Sequence, residues 1–144
     1  MTKVLIIDDE APIRLLCRVN LEAEGMDVVE APDGLTGLEV VERERPDAIL
    51  LDVMMPALDG WSVAERLLEK EDTREIPIVF LTARADLRDR ARGMDLGGLD
   101  YITKPFNPVD LASLVEEVVA AVARGEREQL RADKVAELRF LFEV

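Results

Sequence analysis

Five short apolar runs, at Val4–Ile7, Met26–Glu30, Ala48–Leu51, Ile78–Leu81 and Tyr101-Ile102, alternate with amphipathic stretches along the chain. This alternation limits the fold more than any other feature. The clearest runs are apolar at consecutive positions rather than at every second one. They read as strands buried on both faces, which occur in parallel sheets covered by helices on each side. The stretches between them carry helical spacing. Ile13, Leu16, Cys17, Asn20 and Leu21 share a face within 12–24, with Asn20 its polar member. Leu35, Leu38, Val40 and Val41 mark a second helix closed by Pro46, and Val63, Ala64, Leu67 and Leu68 a third over 61–70. A fourth helix is expected over 86–96, stopped by Gly97-Gly98, and a fifth over 108–123 with Leu111, Leu114, Val115, Val118, Val119 and Val122 turned inward. Five β-α units in alternation define a doubly wound α/β domain. Ligands of such sheets bind at the carboxyl ends of the strands.

Those ends carry residues with no use as packing. Asp8, Asp9 and Glu10 follow the first strand, Asp52 the third, Thr82 the fourth, and Thr103, Lys104, Pro105 and Phe106 the fifth. Taken one at a time these are solvated loop acids, a surface lysine and a threonine that satisfies a strand-end amide. On one edge together they point to chemistry. Carboxylates are seldom buried without a partner, and several cannot stay ionised at contact distance unless a cation neutralises them. Two or three hard oxygens with water filling the remaining positions suit Mg²⁺. A lysine and a hydroxyl beside such an ion suit an anion, above all a phosphoryl group.

Composition narrows the classes. The absence of histidine excludes imidazole acid–base chemistry and most zinc or haem sites. The single cysteine, Cys17, excludes an internal disulfide framework, suits a reducing compartment and lies in a helical apolar pattern, as a small core residue does. No apolar run approaches the roughly 20 residues of a membrane helix, and the start leads straight into a strand without a signal-peptide pattern. A cytoplasmic protein with no membrane partner is expected. The net charge of −13 falls wholly on residues 1–123, because five basic and five acidic residues balance from Arg124 onward. Such a surface is expected to make no direct contact with nucleic acid.

The motifs I-I-D-D-E, L-L-D-V-M-M-P-x-L-D-G, F-L-T-A-R and D-Y-I-T-K-P-F stand in this order over residues 6–106. Together they resemble the receiver domain of two-component response regulators, across about residues 2–123. The resemblance implies a flavodoxin-like sheet of order 2-1-3-4-5 and phosphotransfer from a sensor histidine kinase or a histidine phosphotransfer protein to an aspartate. By position, Asp52 matches the phosphoacceptor, and Asp9 a direct Mg²⁺ ligand. Asp8 matches an acid acting on the metal through water, and the Met54 backbone carbonyl a further ligand. Thr82 matches the switch hydroxyl, Tyr101 the switch aromatic, and Lys104 the cation that pairs with Asp52 and then with the phosphoryl oxygens. Pro105 after it is usually cis in the family. The helix over 86–96, the fifth strand and the helix over 108–123 match the family's signalling face, also a route to a homodimer. Gly98 stands where the family often has alanine. The resemblance implies a phosphoacceptor rather than an enzyme, capable at most of self-catalysed phosphorylation and dephosphorylation. An aspartyl phosphatase commonly has a second aspartate two residues after its nucleophile, where this chain has Met54. A P-loop is missing after the first strand.

Residues 1–123 are therefore expected to form the receiver domain, and residues 124–144 a C-terminal amphipathic helical extension or linker. Past Gly125, Leu130, Val135, Leu138 and Phe142 resume helical spacing, with Phe140 and Leu141 adding apolar surface. About 20 residues cannot build an independent core. The expectation leans toward an exposed helix that pairs with a second copy or docks on a partner, over one folded back on its own domain. Two further roles stand beside the switch: an intermediate that hands phosphate onward, and an adaptor acting through the tail whatever the state of Asp52.

Overall fold

Successive side chains of a strand point to opposite faces, so a run such as Val4-Leu5-Ile6-Ile7 fills two cores at once. The computed structural model, which describes residues 1–82, 92 and 98–143, has this arrangement. Strands β1 (Lys3–Ile7), β2 (Asp27–Ala31), β3 (Ala48–Asp52), β4 (Ile78–Thr82) and β5 (Gly98–Thr103) form one sheet of order β2-β1-β3-β4-β5. All four pairings are parallel. The described helices are α1 (Ala11–Ala23), α2 (Gly34–Glu44), α3 (Gly60–Glu69), α4 (Val109–Ala123) and α5 (Arg127–Glu143). The expected doubly wound, flavodoxin-like order is the one observed. The helix expected over 86–96 lies, but for residue 92, outside the described residues.

Parity assigns the two cores. Val4, Ile6, Leu50, Val79 and Leu81 face α1 and α4, meeting Cys17, Leu21, Leu111, Val115 and Val118. Leu5, Ile7, Ile49, Leu51 and Phe80 face α2 and α3, meeting Val40, Val41, Trp61, Val63 and Leu67. Leu50 is wholly buried, and its truncation to alanine would cost about 2–5 kcal/mol. Asp33 and Asp59 start α2 and α3 by accepting from Thr36 N and Ser62 N, both at 2.8 Å. The expected stripes hold with two edges misjudged. Leu16 and Leu35 are exposed, and Asn20 turns back to donate to the Leu16 carbonyl at 2.8 Å. No helix among the described residues is long and apolar enough to cross a membrane.

The tail does not project from the domain. Gly125, with φ +73°, breaks the chain after α4 in a conformation that favours glycine. Helix α5 then turns back onto β5 and α4, with Leu130 against the core that contains Leu111 and Val118. The side chains of residues 138–143 lie outside the described residues, so the folding-back rests on the first turns of the helix.

Candidate functional site

Parallel strands bring their carboxyl ends to one edge, and β1, β3, β4 and β5 end there on Ile7, Asp52, Thr82 and Thr103. Asp52 and Thr82 are thus the last residues of their strands rather than the first beyond them. Asp8, Asp52 and Thr82 are all buried, whereas Asp9 is exposed. The carboxylates of Asp8, Asp9 and Asp52 each bring an oxygen within 4.8 Å of the others.

Lys104 closes the cluster. Its Nζ donates to Asp8 Oδ2 at 2.8 Å and lies 3.3 Å from Asp52 Oδ1. Its backbone N–H donates to the Thr82 carbonyl at 2.6 Å, which fixes the residue after β5 to the end of β4. The Lys104–Pro105 peptide bond is cis. Burial works against the charge of Lys104, but the two carboxylates outweigh it and hold the ammonium above its ordinary range. Asp52 is shifted the other way. Burial first, and the charge of Asp8 second, push its carboxyl up to about 7 against the pull of Lys104. Among the described residues, three carboxylates face one ammonium, which leaves them short of positive charge. That deficit, with all-oxygen donors, fits a hard divalent cation, so the cluster could hold a metal ion.

The remaining residues named from sequence lie around this cluster. Met54 has an exposed side chain, so any role it has belongs to its backbone. Tyr101 packs against the core containing Trp61 and Phe80. Trp61 is a packing residue at the start of α3, its ring centroid 5.0 Å from that of Phe80. Gly60 allows α3 to begin directly against Asp52: a Cβ there would collide with the Asp52 carbonyl oxygen and the Val53 backbone. Cys17 is a buried core residue, its thiol pushed up to about 12, chiefly by burial.

Sequence reasoning passed over Arg14. Its Nη1 donates to the Asp8 carbonyl at 2.7 Å and its Nε to Glu30 Oε1 at 3.1 Å. It thereby ties the acid-bearing turn after β1 to the end of β2. An arginine within the first turns of a helix that follows an acidic loop is the available signal, and it is a weak one.

Known proteins match this arrangement. The family model described as response regulator receiver domain matches residues 4–116. A probable transcriptional regulator, ycf27 of Porphyridium aerugineum, is 43% identical over 123 residues, which is 85% of this chain and 50% of that protein. The DNA-binding dual master transcriptional regulator RpaA of Synechocystis sp. is 41% identical over 127 residues, 88% of this chain and 52% of that protein. Among solved structures, the chemotaxis protein CheY4 of Vibrio cholerae superposes with a TM-score of 0.78 at 30% identity, over 82% of this chain and 98% of that one. The chain spans about half the length of the curated relatives it matches. These relatives correct one expectation, that of no direct contact with nucleic acid. The charge of −13 speaks only for the residues that carry it, and relatives about twice as long are transcriptional regulators, one of them named as DNA-binding. Fold, edge constellation and match agree: the chain belongs to the response regulator receiver domain family.

Proposed function

We propose that this protein is a phosphorylation switch in which Asp52 accepts a phosphoryl group from a phosphohistidine donor or a small acyl phosphate. The observation that carries this reading is the ammonium of Lys104 set between Asp8 and Asp52 at the sheet edge. An Asp52 carboxylate oxygen forms the new P–O bond as the bond from phosphorus to the donor breaks. The electron pair leaves with the donor, which takes a proton from solvent. A carboxylate is a weak nucleophile, so the residues contribute position and charge rather than covalent help. Lys104 turns from Asp52 to the incoming oxygens. Asp8, held by Glu10 N at 2.9 Å and by Lys104, keeps that lysine in place. Asp9, Asp52 and the Met54 carbonyl, with Asp8 acting through water, would hold Mg²⁺, which when bound neutralises phosphoryl oxygens.

The acyl phosphate adds negative charge and acceptor oxygens, and the Thr82 hydroxyl at the end of β4 answers them. Repacking around Tyr101 then carries the event to the surface. On this reading residues 1–123 are the receiver, residues 124–144 are an extension of it, and the protein works in the cytoplasm without turning over a substrate. Intact mass after incubation with Mg²⁺ and acetyl phosphate tests it. One phosphoryl group is expected on the wild type and none on Asp52→Asn. Equal addition to both would remove Asp52 from the mechanism.

A further inference from the structure

Strand β5 contains a buried aspartate remote from the phosphoacceptor cluster. Asp100 is 4% exposed, and its Oδ1 accepts from Tyr101 N at 2.8 Å. Its Oδ2 has no hydrogen-bond partner among the described residues, and the cation that reaches it comes from the tail. Lys134 Nζ lies 3.3 Å away, close enough for an ion pair but not aligned as a hydrogen bond. A buried carboxylate without a counter-charge is costly, so β5 carries a seat that α5 fills. A second tie lies at the start of the helix. Arg127 donates to the Glu75 carbonyl at 2.6 Å and to the Arg74 carbonyl at 3.3 Å, holding α5 to the segment before β4. Burial above all, and Glu117 of α4 after it, weaken Asp100 as an anion, while Asp100, Glu137 of α5 and Glu117 favour the charged form of Lys134 against its burial.

The seat and the phosphoacceptor cluster share one strand. Asp100 and Lys104 are four residues apart, roughly 13 Å of extended chain. Parity places Asp100 with Ile102 on the α4 and α5 side, and Tyr101 on the α2 and α3 side. The β4–β5 register pairs Val79 with Asp100, Phe80 with Tyr101 and Thr82 with Thr103, and the Lys104 amide is bonded to Thr82. A shift of Thr82 or Lys104 therefore acts on the same ladder that presents Asp100 to the tail. Among the described residues, the contacts it acts on include one unaligned ion pair, two exposed hydrogen bonds and the partly buried Leu130.

From this geometry we infer that α5 is an intramolecular latch on β5, closed by Lys134 on Asp100 and Arg127 on residues 74–75, and opened by phosphoryl uptake at Asp52. The opening half rests on the Asp52 reading above; the closed half stands on the contacts alone. The surface it covers, β5 beside α4, is presented only when the tail leaves. Coupling between two sites is reciprocal, so loosening the latch also favours phosphoryl uptake.

Amide hydrogen exchange over residues 127–143 of the full chain tests this, with intact mass read on the same samples. Wild type, Lys134→Gln, Asp100→Asn and Asp52→Asn are compared with and without Mg²⁺ and acetyl phosphate. The resting wild type is expected to exchange in the tail roughly tenfold more slowly than Lys134→Gln, an ordinary size for coupling. Phosphoryl uptake is expected to bring the wild type to the Lys134→Gln rate and to leave Asp52→Asn protected. Uptake by Lys134→Gln, at or above the wild-type rate, shows that this variant is folded, and Asp100→Asn opens the same contact from the other side without stranding a buried charge. A resting tail as fast as both variants overturns the latch. A mass gain with no change in tail exchange overturns its opening while Asp52 stands as acceptor. No mass gain on the wild type overturns the Asp52 reading, and the opening with it; the closed contact is still judged by the resting rates.

Discussion

Lys104, just past β5, reaches the buried Asp8 and Asp52, and Lys134 reaches the buried Asp100 within β5, yet the two sites differ in charge balance. Lys104 sits among three carboxylates and donates a well-placed hydrogen bond to one of them. Lys134 contacts one carboxylate, that of Asp100, in an ion pair that is not aligned as a hydrogen bond, with Glu137 and Glu117 farther off. The first pair is tight, with more than one carboxylate in contact with the ammonium; the second is loose, one carboxylate against one ammonium. Incomplete neutralisation is what allows a site to take up a cation and then an anion. Complete neutralisation leaves a contact that can only form or break.

The widest gap between them is in cation binding. Trp61 is the only tryptophan and lines a cavity with Val53, Met54, Met55, Pro56 and Asp59, so its fluorescence reports on the acid edge. Titration with Mg²⁺ should give an affinity that falls by roughly tenfold to a hundredfold in Asp9→Asn and is unchanged in Lys134→Gln. A Lys134 variant that weakened Mg²⁺ as much as the Asp9 variant would merge the two sites into one network.

Removing each lysine sharpens the contrast in stability. Lys104→Met leaves Asp8 and Asp52, both buried, without their shared counter-charge, and is expected to cost about 3 kcal/mol in Mg²⁺-free buffer. Added Mg²⁺ should restore part of that loss, because it supplies the missing charge at the same place. Lys134→Met should lose less and recover nothing on adding Mg²⁺. Urea unfolding of both variants, with and without the ion, decides it. Equal rescue of both would mean that the ion acts on the whole acidic surface rather than on the cluster.

Asp52→Asn should act in the opposite sense. A carboxyl held above its unfolded value contributes stability that is complete below about 3.8 and is lost as the pH rises through about 7. The cation-free wild type should therefore weaken between about pH 4 and pH 7 relative to Asp52→Asn. At the upper end the variant should be the more stable by about 1–2 kcal/mol, the usual exchange of stability for function at such sites. Thermal unfolding at the two pH values checks this. A variant less stable than the wild type at both would show that Lys104, rather than burial, governs the charge of Asp52.

The sequence showed the acid edge and missed the tail contact, for a physical reason. Asp8, Asp9, Asp52, Thr82 and Lys104 each follow or end an apolar run, and parallel strands bring such positions together whatever the loop lengths. The site was therefore readable from strand ends alone. Asp100 and Lys134 have no such rule. They are 34 residues apart in sequence, and neither apolar spacing nor motif predicts that one lies over the other. The polar Asp100 and Gly98 also shortened the expected fifth strand to Tyr101-Ile102, while the ladder extends from Gly98 to Thr103. Helix α5 was readable as a helix, but its direction was not. Its apolar residues fit either an exposed stripe or a folded-back one, and a buried acid on β5 decides between them.

That acid gives the smallest effect expected on stability. Asp100→Asn removes the ion pair with Lys134, but it also removes the cost of keeping a charge at a buried position. Lys134, with 24% of its side chain exposed, can extend to water once its partner is neutral. The two changes nearly cancel, so global stability should move by no more than about 1 kcal/mol. Tail exchange should rise all the same, since the attraction that aligned α5 on β5 is gone while the core beneath is untouched. Urea midpoint and local exchange, read together, separate a latch from a structural strut. A strut would lose both at once, whereas a latch opens over an intact domain.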